Sequence, residues 1–435
     1  MLENLTTSHQ SNPLQSSRKN CKLMVFDLSL RGHHPIYIRH LIQYFYKINL
    51  VGHIDIVVLP QFLEEHKDVV NCAESYGQNS INFIPITQAE VELLNSRKPR
   101  IKRLMRNFQE WKIFSDYAKR LQATHGLLMY FDTCELPLTF GVKSPCPFSG
   151  IYFRPTFHYA QELTHYQPSR QDKIQQWREQ LFLSRILKNP QLQNLFCLDP
   201  FVVKYLNQYN SNVKAIALPD PVETLTVSSE QSHKLQEKLG IEPHRKVFLL
   251  FGAITSRKGV YQLLEAIALL FPEDCKKLCL LLVGESGIKA DLETKIEKLS
   301  QLKPVQIIRR YEFIPDEEVQ TYFTMADVVL APYQRHVGMS GILLLAAAAE
   351  KPVLSSDYGL MGEMVRRYQL GLTVDSTVPD QIAQGLSQLL QADLERLYDR
   401  TRMKSFAQQN SAEAFAQIIF DNIGFDRVDK SETKG

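Results

Sequence analysis

The sequence lacks any apolar run long enough to cross a bilayer. No stretch of ~18 or more uninterrupted apolar residues occurs in the chain, so no transmembrane helix is predicted. The first twenty residues, MLENLTTSHQSNPLQSSRKN, are polar and contain no apolar core of a signal peptide. They are predicted to form a disordered leader, and we expect a cytoplasmic protein.

Cysteine is sparse and scattered. The seven cysteines are odd in number and never spaced as C-x2-C, which argues against a disulfide framework and against a zinc site. Only Cys275 and Cys279 lie close together, and no second pair or nearby histidine completes a set of metal ligands. We therefore expect a reducing compartment and no bound metal.

An excess of charge is also missing. The formal net charge of +3 is too small to indicate a nucleic-acid partner. The remaining composition, 44% hydrophobic and 22% charged, is that of an ordinary globular protein. Because domains usually hold about 100–200 residues, the 435 residues are expected to form two or three of them.

The first half of the chain alternates apolar runs with periodic helices. LMVFDL (23–28) is followed by the turn SLRGHHP, the helical pattern IYIRHLIQYFYKI and a second apolar run, HIDIVVLP. This βαβ order predicts a parallel sheet with right-handed connections. GLLMYFD (126–132) and SGIYFRP (149–155) predict two further buried strands that end in polar loops.

The alternation restarts after a polar boundary near residues 220–244. The predicted strands there are KVFLLFG, KLCLLLVG, VQIIRRYEF, DVVLAPY and KPVLSSD, with helical patterns between them. They predict a second doubly wound α/β domain. The expected organisation is a leader over 1–20, Rossmann-like domains over 21–219 and 220–405, and a helix and tail over 406–435 that pack back on the first domain.

Open α/β sheets bind ligands beyond the carboxyl ends of their strands, so the polar loops there are the candidate sites. In FGAITSRKG, Gly252 permits a tight backbone path, and Arg257 and Lys258 precede a helix. Cations and free N–H groups at a strand–loop–helix junction suit a diphosphate, whereas a solvated basic turn is the alternative.

The second candidate loop begins the segment HVGMSGILLLAAAAEKPVL. Ser340 is predicted to be an N-cap, and Gly341 would let an anion approach the first helical turn. The helix that follows is apolar on all sides, so we expect it to be buried with its amino end open to an internal cleft. An ordinary capped core helix is the alternative.

The third candidate loop is SLRGHHP, after the first strand. Gly32 frees the backbone at a helix start. His33 and His34 are adjacent, so at most one of them is expected to point into a cleft. A surface turn with no function is the alternative.

Four segments in order, FGAITSRKGVYQLLEAIALL, LLLVGESG, EEVQTYFTMADVVLAPY and SGILLLAAAAEKPVLSSDYGLMGEMV, resemble the group-1 family of retaining glycosyltransferases. The resemblance covers roughly residues 219–375 and is looser in the first domain. It implies an α/β protein of GT-B architecture, with two Rossmann-like parallel-sheet domains facing across a cleft.

The resemblance also implies a reaction. A sugar would pass from a nucleotide-diphosphate donor to a polysaccharide, glycolipid or other glycan, with retention of configuration and no required cofactor or metal. The C-terminal domain would hold the nucleotide sugar and the N-terminal domain the acceptor.

Single residues inherit roles from the resemblance. Lys258 matches the phosphate-binding lysine, and Ser340 and Gly341 lie where the distal phosphate binds. Residues 309–314 lie where the family's chain passes the base, and Arg154 or His158 lies in the loop that faces the donor sugar. The expected site comprises Lys258, Arg257, Arg154 and His158 as catalytic groups, Gly252, Ser256, Tyr311, Phe313, Ser340, Gly341 and Ile342 around the donor, and Gly32, His33, His34 and Asp132 on the acceptor side or first loop.

Two glutamates of the family's Glu-x7-Glu motif are missing. Aligned on the downstream KPV they would fall at Val337 and Leu345, and aligned on the upstream AP at His336 and Leu344. The second glutamate accepts hydrogen bonds from ribose hydroxyls, which leucine cannot do, and such a pair is worth about 1.5–3 kcal/mol. The missing glutamates leave a non-catalytic nucleotide- or sugar-binding protein as an alternative. A sugar epimerase is a further alternative, because the same fold serves that reaction.

The segment RKPRIKRLMRNFQEWK (97–112) is strongly basic. Ile101, Leu104, Met105, Phe108 and Trp111 recur at helical spacing with cations between them. Such a helix suits the inner face of an anionic membrane and a lipid-linked acceptor. The alternative is an apolar face packed on the first sheet with solvated cations.

Overall fold

The structure is a computed structural model that describes residues 21–77, 80–94, 100–222, 227–394 and 398–427, without the side chains of 100–104 and 426–427. The leader predicted over 1–20 and the start of the basic segment, 97–99, lie outside the described residues.

The first domain is built on a parallel sheet with strand order β4-β3-β1-β5-β6-β7-β8. Its strands are β1 (Lys22–Phe26), β2 (Leu50–Val51, outside this sheet), β3 (His53–Val58), β4 (Ile81–Pro85), β5 (His125–Leu128), β6 (Phe148–Tyr152), β7 (Leu192–Cys197) and β8 (Lys214–Ala217). Its helices are α1 (His34–Lys47), α2 (Phe62–Glu65), α3 (Lys67–Glu74), α4 (Gln88–Leu94), α5 (Arg100–Arg120), α6 (Glu135–Thr139), α7 (Tyr159–Glu162), α8 (Arg170–Ile186) and α9 (Val203–Leu206), with a 3-10 turn at Phe131–Thr133.

The second domain has its own parallel sheet, with strand order β11-β10-β9-β12-β13-β14. The strands are β9 (Lys246–Phe251), β10 (Leu278–Val283), β11 (Gln306–Arg310), β12 (Val328–Ala331), β13 (Val353–Ser356) and β14 (Gly371–Val374). The helices are α10 (Ser229–Lys238), α11 (Val260–Leu269), α12 (Pro272–Lys277), α13 (Lys289–Leu302), α14 (Asp316–Met325), α15 (Ile342–Ala348), α16 (Gly359–Tyr368), α17 (Pro379–Gln391) and α18 (Arg400–Gln409), with a 3-10 turn at Ser256–Lys258.

Each sheet is covered on both faces, and side chains that alternate along a strand pack on opposite sides of it. Along β1, Leu23 and Val25 join one buried cluster, whereas Met24 and Phe26 join the cluster on the opposite face. A strand buried on both faces has a continuous apolar sequence, and these runs predict the strands. The prediction of two parallel-sheet α/β domains is confirmed.

After the second domain the chain returns to the first. Helix α19 (Ala412–Ile423) packs on α1, where Phe415 and Phe420 join the same buried cluster as Tyr37 and Phe45. Strand β15 (Asp426–Arg427) then pairs antiparallel with β2. The outgoing and returning segments lie side by side, because Val222 forms a parallel bridge with Ser411.

Ion pairs tie the two domains together beside this junction. The guanidinium of Arg367, on α16, contacts Glu162 of the first domain at 2.7 Å and Glu363 of its own helix at 2.6 Å. Lys204 also contacts Glu162, at 2.5 Å. Burial alone would raise the pKa of Glu162, but the hydrogen bonds from Lys204 and Arg367 lower it below its ordinary value.

Gly259 sets the path of the loop between β9 and α11. Its φ of +74° is left-handed, and a Cβ there would lie 2.0 Å from the carbonyl oxygen of Pro332. The residue must therefore be glycine for two reasons, the backbone conformation and the close approach of the segment after β12. This contact brings the loop with Arg257 beside Tyr333.

The apolar stripe predicted from the basic segment lies on helix α5 and is only partly buried. Trp111 is buried against the first sheet, whereas Met105 and Phe108 are exposed. Among the described residues, no helix is both long and apolar enough to cross a bilayer, and no group of three potential metal ligands occurs. None of the seven cysteines, all of which the structure describes, forms a disulfide.

Candidate functional site

A cavity of 820 Å³ lies between the two domains, beyond the carboxyl ends of strands from both sheets. Its basic, acidic and histidine lining residues are Arg154, Arg257, Arg335, His33, His336, Asp199 and Asp220. Both carboxylates already have partners: Tyr37 donates to Asp220 at 2.5 Å, and Asp199 accepts from the N–H of Phe201 at 2.9 Å. The groups left to meet a ligand are therefore mainly cationic.

Tyr333 organises the basic loop. The Arg257 guanidinium lies 5.2 Å from the centroid of the Tyr333 ring, and Lys258 Nζ lies 5.3 Å from it. The phenol oxygen of the same residue is 3.2 Å from Ser340 Oγ. Three residues that the sequence assigned to two separate loops are thus gathered around one aromatic ring.

Arg257 and Lys258 occupy different positions relative to the cavity. Arg257 lines it, whereas Lys258 is buried behind it and donates to the carbonyl oxygen of Phe251. Gly252 has a φ of +90°, and a Cβ there would lie 2.9 Å from Lys258 Nζ, so the glycine makes room for the ammonium. Ser256 is exposed on the same turn.

Helix α15 begins one residue later than the sequence predicts. Its N-cap is Gly341, and Ser340 does not cap it with its side chain because that hydroxyl meets Tyr333. Ile342 is buried in the first turn, as an apolar helix requires. A Cβ on Gly341 would lie 3.7 Å from the imidazole of His33, so the two domains approach closely here.

The adjacent histidines of the first loop point in different directions. Gly32 adopts a φ of +75°, which allows His33 to line the cavity. His34 instead turns inward, with Nδ1 2.9 Å from Asp27 Oδ2 and its ring stacked on Phe153. Burial would lower the pKa of His34, but the hydrogen bond and charge of Asp27 raise it above its ordinary value.

Asp132 holds the loop that carries Arg154. Its two carboxylate oxygens accept from the backbone N–H groups of Phe153 and Arg154, each at 3.0 Å. Burial raises the pKa of Asp132 to about 6, although these hydrogen bonds oppose the shift. Asp132 therefore positions the Arg154 loop and is not among the residues that line the cavity.

His158 is placed away from the cavity that Arg154 lines. Its imidazole is fully buried, with Nε2 3.0 Å from Asp199 Oδ2, and it borders a separate surface hollow with Tyr205. Asp199 lies between that histidine and the interdomain cavity. His158 can orient Asp199, but it does not reach the space between the domains.

The two aromatic residues expected near a base lie at the end of β11. Tyr311 is half-buried beneath Lys289, whose Nζ is 5.6 Å from the ring centroid, and Phe313 is exposed. Neither lines the interdomain cavity.

Sequence reasoning did not find Tyr333, Arg335 and His336 as site residues. Arg335 has a φ of +45°, which is uncommon for a residue other than glycine. This backbone conformation indicates that the loop is constrained. His336 Nε2 lies 3.2 Å from the carbonyl oxygen of Met339, and burial lowers its pKa. The sequence feature that indicates these residues is their position, because QRH directly follows the strand DVVLAPY.

The arrangement defines the architecture of the protein. Two parallel-sheet domains with a ligand-sized cleft between them constitute the GT-B fold. Solved structures agree over nearly the whole chain. Sucrose-phosphate synthase from Thermosynechococcus elongatus superposes with a TM-score of 0.64 at 17% identity, covering 92% of this chain and 98% of that one. The Anabaena protein HepE in complex with UDP gives 0.63 at 12% identity, covering 92% and 99%.

Sequence comparison matches the C-terminal domain to a known family. Residues 231–410 match the family described as Glycosyl transferases group 1. D-inositol 3-phosphate glycosyltransferase of Corynebacterium diphtheriae is 29% identical over 198 residues, covering 44% of this chain and 46% of the relative. The enzyme of that name from Corynebacterium glutamicum is 26% identical over 239 residues, covering 52% and 56%. The chain thus aligns with about half the length of these curated relatives.

Proposed function

We propose that the protein is a hexosyltransferase that moves a sugar from a nucleotide-diphosphate donor to a glycan acceptor with retention of configuration. The observation that carries the proposal is the cationic cleft: Arg154, Arg257 and Arg335 line it, and the carboxylates there are engaged. The match of residues 231–410 to group 1 glycosyl transferases supports the same reaction class.

The chemistry needs positive charge where the diphosphate leaves. Breaking a sugar–phosphate bond transfers charge to the leaving group, and preorganised cations next to it stabilise the transition state. Arg257 lies at the cavity wall and Lys258 directly behind it, both held by Tyr333. In the proposal the donor diphosphate contacts Arg257 and displaces the Phe251 carbonyl as the partner of Lys258.

The acceptor is proposed to enter from the first domain. His33 and Arg154 face the cavity from that side, and Asp132 fixes the backbone of the Arg154 loop. A polysaccharide, a glycolipid or another glycan is consistent with an open cleft of this size. Metal and cofactor are not part of the proposed reaction.

Uridine diphosphate is the first nucleotide to test, because HepE was solved with UDP and a trehalose-6-phosphate protein from E. coli with UDP-2-fluoro glucose. We expect one nucleoside diphosphate to raise the melting temperature and the matching nucleotide sugars to be hydrolysed slowly without acceptor. NMR of the product would report the anomeric configuration. Binding without hydrolysis or transfer would instead identify the non-catalytic alternative, and product inversion would refute retention.

A further inference from the structure

Helix α8 carries an apolar surface on the outside of the protein. Ile174, Trp177 and Leu181 are 61%, 65% and 38% exposed. Their spacing of three and four residues aligns them on one face of the helix. The opposite face is buried, through Gln176, Glu179, Leu183 and Ile186. A tryptophan exposed to this degree beside two aliphatic neighbours is unusual for a surface that meets only water.

Arginines share this outer face. Arg170, Arg178 and Arg185 each lie four residues from Ile174 or Leu181, one helical turn away, and all three are exposed. None of the three is within ion-pair distance of a carboxylate among the residues that the structure describes. The guanidinium of Arg178 lies 5.9 Å from the Phe182 ring, and its charge also acts on Glu135 of α6, the helix that packs on α8.

The acidic residues of α8 are directed elsewhere. Asp172 closes the capping box with Ser169, accepting from its backbone N–H at 2.8 Å. Glu179 is buried and accepts from Tyr152 at 2.6 Å and from the hydroxyl of Thr156 at 2.7 Å. The outer face therefore combines apolar and aromatic side chains with positive charge and no carboxylate from its own helix.

We propose that this face of α8 seats the protein on an anionic lipid surface. A helix with Trp and Leu on one side, interleaved with arginines, binds in the interfacial region of a bilayer with its apolar side chains among the headgroups. Charge complementarity selects an anionic membrane over a neutral one, because exposed cations near the surface add attraction to anionic lipid. The inference rests on α8 alone and does not depend on the proposed transfer reaction.

The same helix connects the surface to the cleft. Through Glu179 and Gln176 its inner face holds Thr156, which lines the interdomain cavity. Seating α8 on a membrane brings the first-domain wall of the cleft close to the lipid. In the segment 97–112 Trp111 is buried whereas Met105 and Phe108 are exposed, so that segment stays a separate candidate membrane contact.

Vesicle flotation of the full chain tests the inference. We expect binding to vesicles of phosphatidylglycerol and phosphatidylcholine, none to phosphatidylcholine alone, and release at high salt because screening weakens surface attraction. Arg170→Gln, Arg178→Gln and Arg185→Gln combined should lower the partition coefficient about a hundredfold. A matched control, Lys234→Gln, Lys238→Gln and Lys276→Gln, removes three charges from the second domain and should bind like the parent.

Tryptophan fluorescence gives a second measurement, because the chain has only two tryptophans and Trp111 is buried. Vesicles should shift the emission to the blue, and brominated lipid should quench it, in the parent but not in Trp177→Phe. Absence of binding to anionic vesicles, or binding that survives the triple arginine variant, would overturn the inference. So would self-association through α8 without vesicle binding, which would assign the face to a second copy of the chain.

Discussion

Lys258 Nζ lies 5.3 Å from the centroid of the Tyr333 ring, with Arg257 over the same ring. The loop after β9 and the loop after β12 therefore form one basic unit. A cation fixed by packing before the ligand arrives needs little reorganisation when charge develops on a leaving diphosphate.

Removing this ammonium should slow the reaction. Lys258→Ala is expected to lower turnover about a hundredfold, the scale of losing one electrostatic contact to the transition state. Steady-state kinetics with the donor found by nucleotide screening would measure it. Lys276→Ala, which removes an exposed lysine of α12, serves as the control and should retain parental turnover. A near-normal rate for Lys258→Ala would remove its phosphate role.

Gly259 offers a test of how the basic loop is built. Gly259→Ala should lower the free energy of unfolding by about 3–4 kcal/mol, since alanine meets both the left-handed backbone and the Pro332 carbonyl. Gly240 has a similar φ of +68° with open space around it, so Gly240→Ala should lose only about 1–2 kcal/mol. Urea titrations of both variants separate the cost of the left-handed backbone from the cost of the contact with the Pro332 carbonyl. Equal losses would mean that the close approach is unimportant.

Asp132 should leave a signature in the dependence of stability on pH. Because burial raises its folded pKa from 3.8 to about 6, its contribution is fully present below 3.8 and is lost as pH rises through about 6. Asp132→Asn removes that component, so the difference in unfolding free energy between parent and variant should change across this window. The variant should also turn over more slowly, because asparagine presents an NH2 donor in place of one of the two oxygens that accept from the backbone N–H groups of Phe153 and Arg154. A difference that is flat with pH would contradict the raised pKa.

The interdomain ion pairs should show the opposite pH dependence. The folded pKa values of Glu162 and Glu363 are lowered, so their contribution is present above the ordinary value of 4.5 and is lost as pH falls through the lower folded values. Arg367→Met should cost about 1 kcal/mol near neutral pH, a modest figure because the guanidinium is partly exposed. Chemical denaturation at a series of pH values would show the cost shrinking in acid. A cost that persists in acid would indicate lost packing on Phe201 instead.

The fold was predictable from the sequence because its strands are buried on both faces. Runs such as Leu278–Val283 are apolar throughout, and the helices between them have their own period. Both patterns are local in the sequence, so they can be recognised without knowing which strands pair. The same patterns therefore predict that the polar loops lie at the carboxyl edge of each sheet.

The contacts between loops were not predictable in this way. Ser340 is a residue type that commonly caps helices, but its hydroxyl contacts Tyr333. The position of the Tyr333 ring depends in turn on the Gly259 turn. The pairing of Tyr37 with Asp220 joins residues 183 positions apart and has no local signature. The exposed face of helix α8 has no local signature either, because the sheet that the helix covers decides which of its faces is buried.

The side-by-side crossings at Val222 and Ser411 limit how the halves of the molecule can move. Because the chain passes between the domains twice at one place, both passages must bend together, which favours rotation about a single axis through that point. A protease cut in one passage would leave the halves joined by the other. A nicked molecule should therefore migrate as one particle in native conditions and come apart only in denaturant.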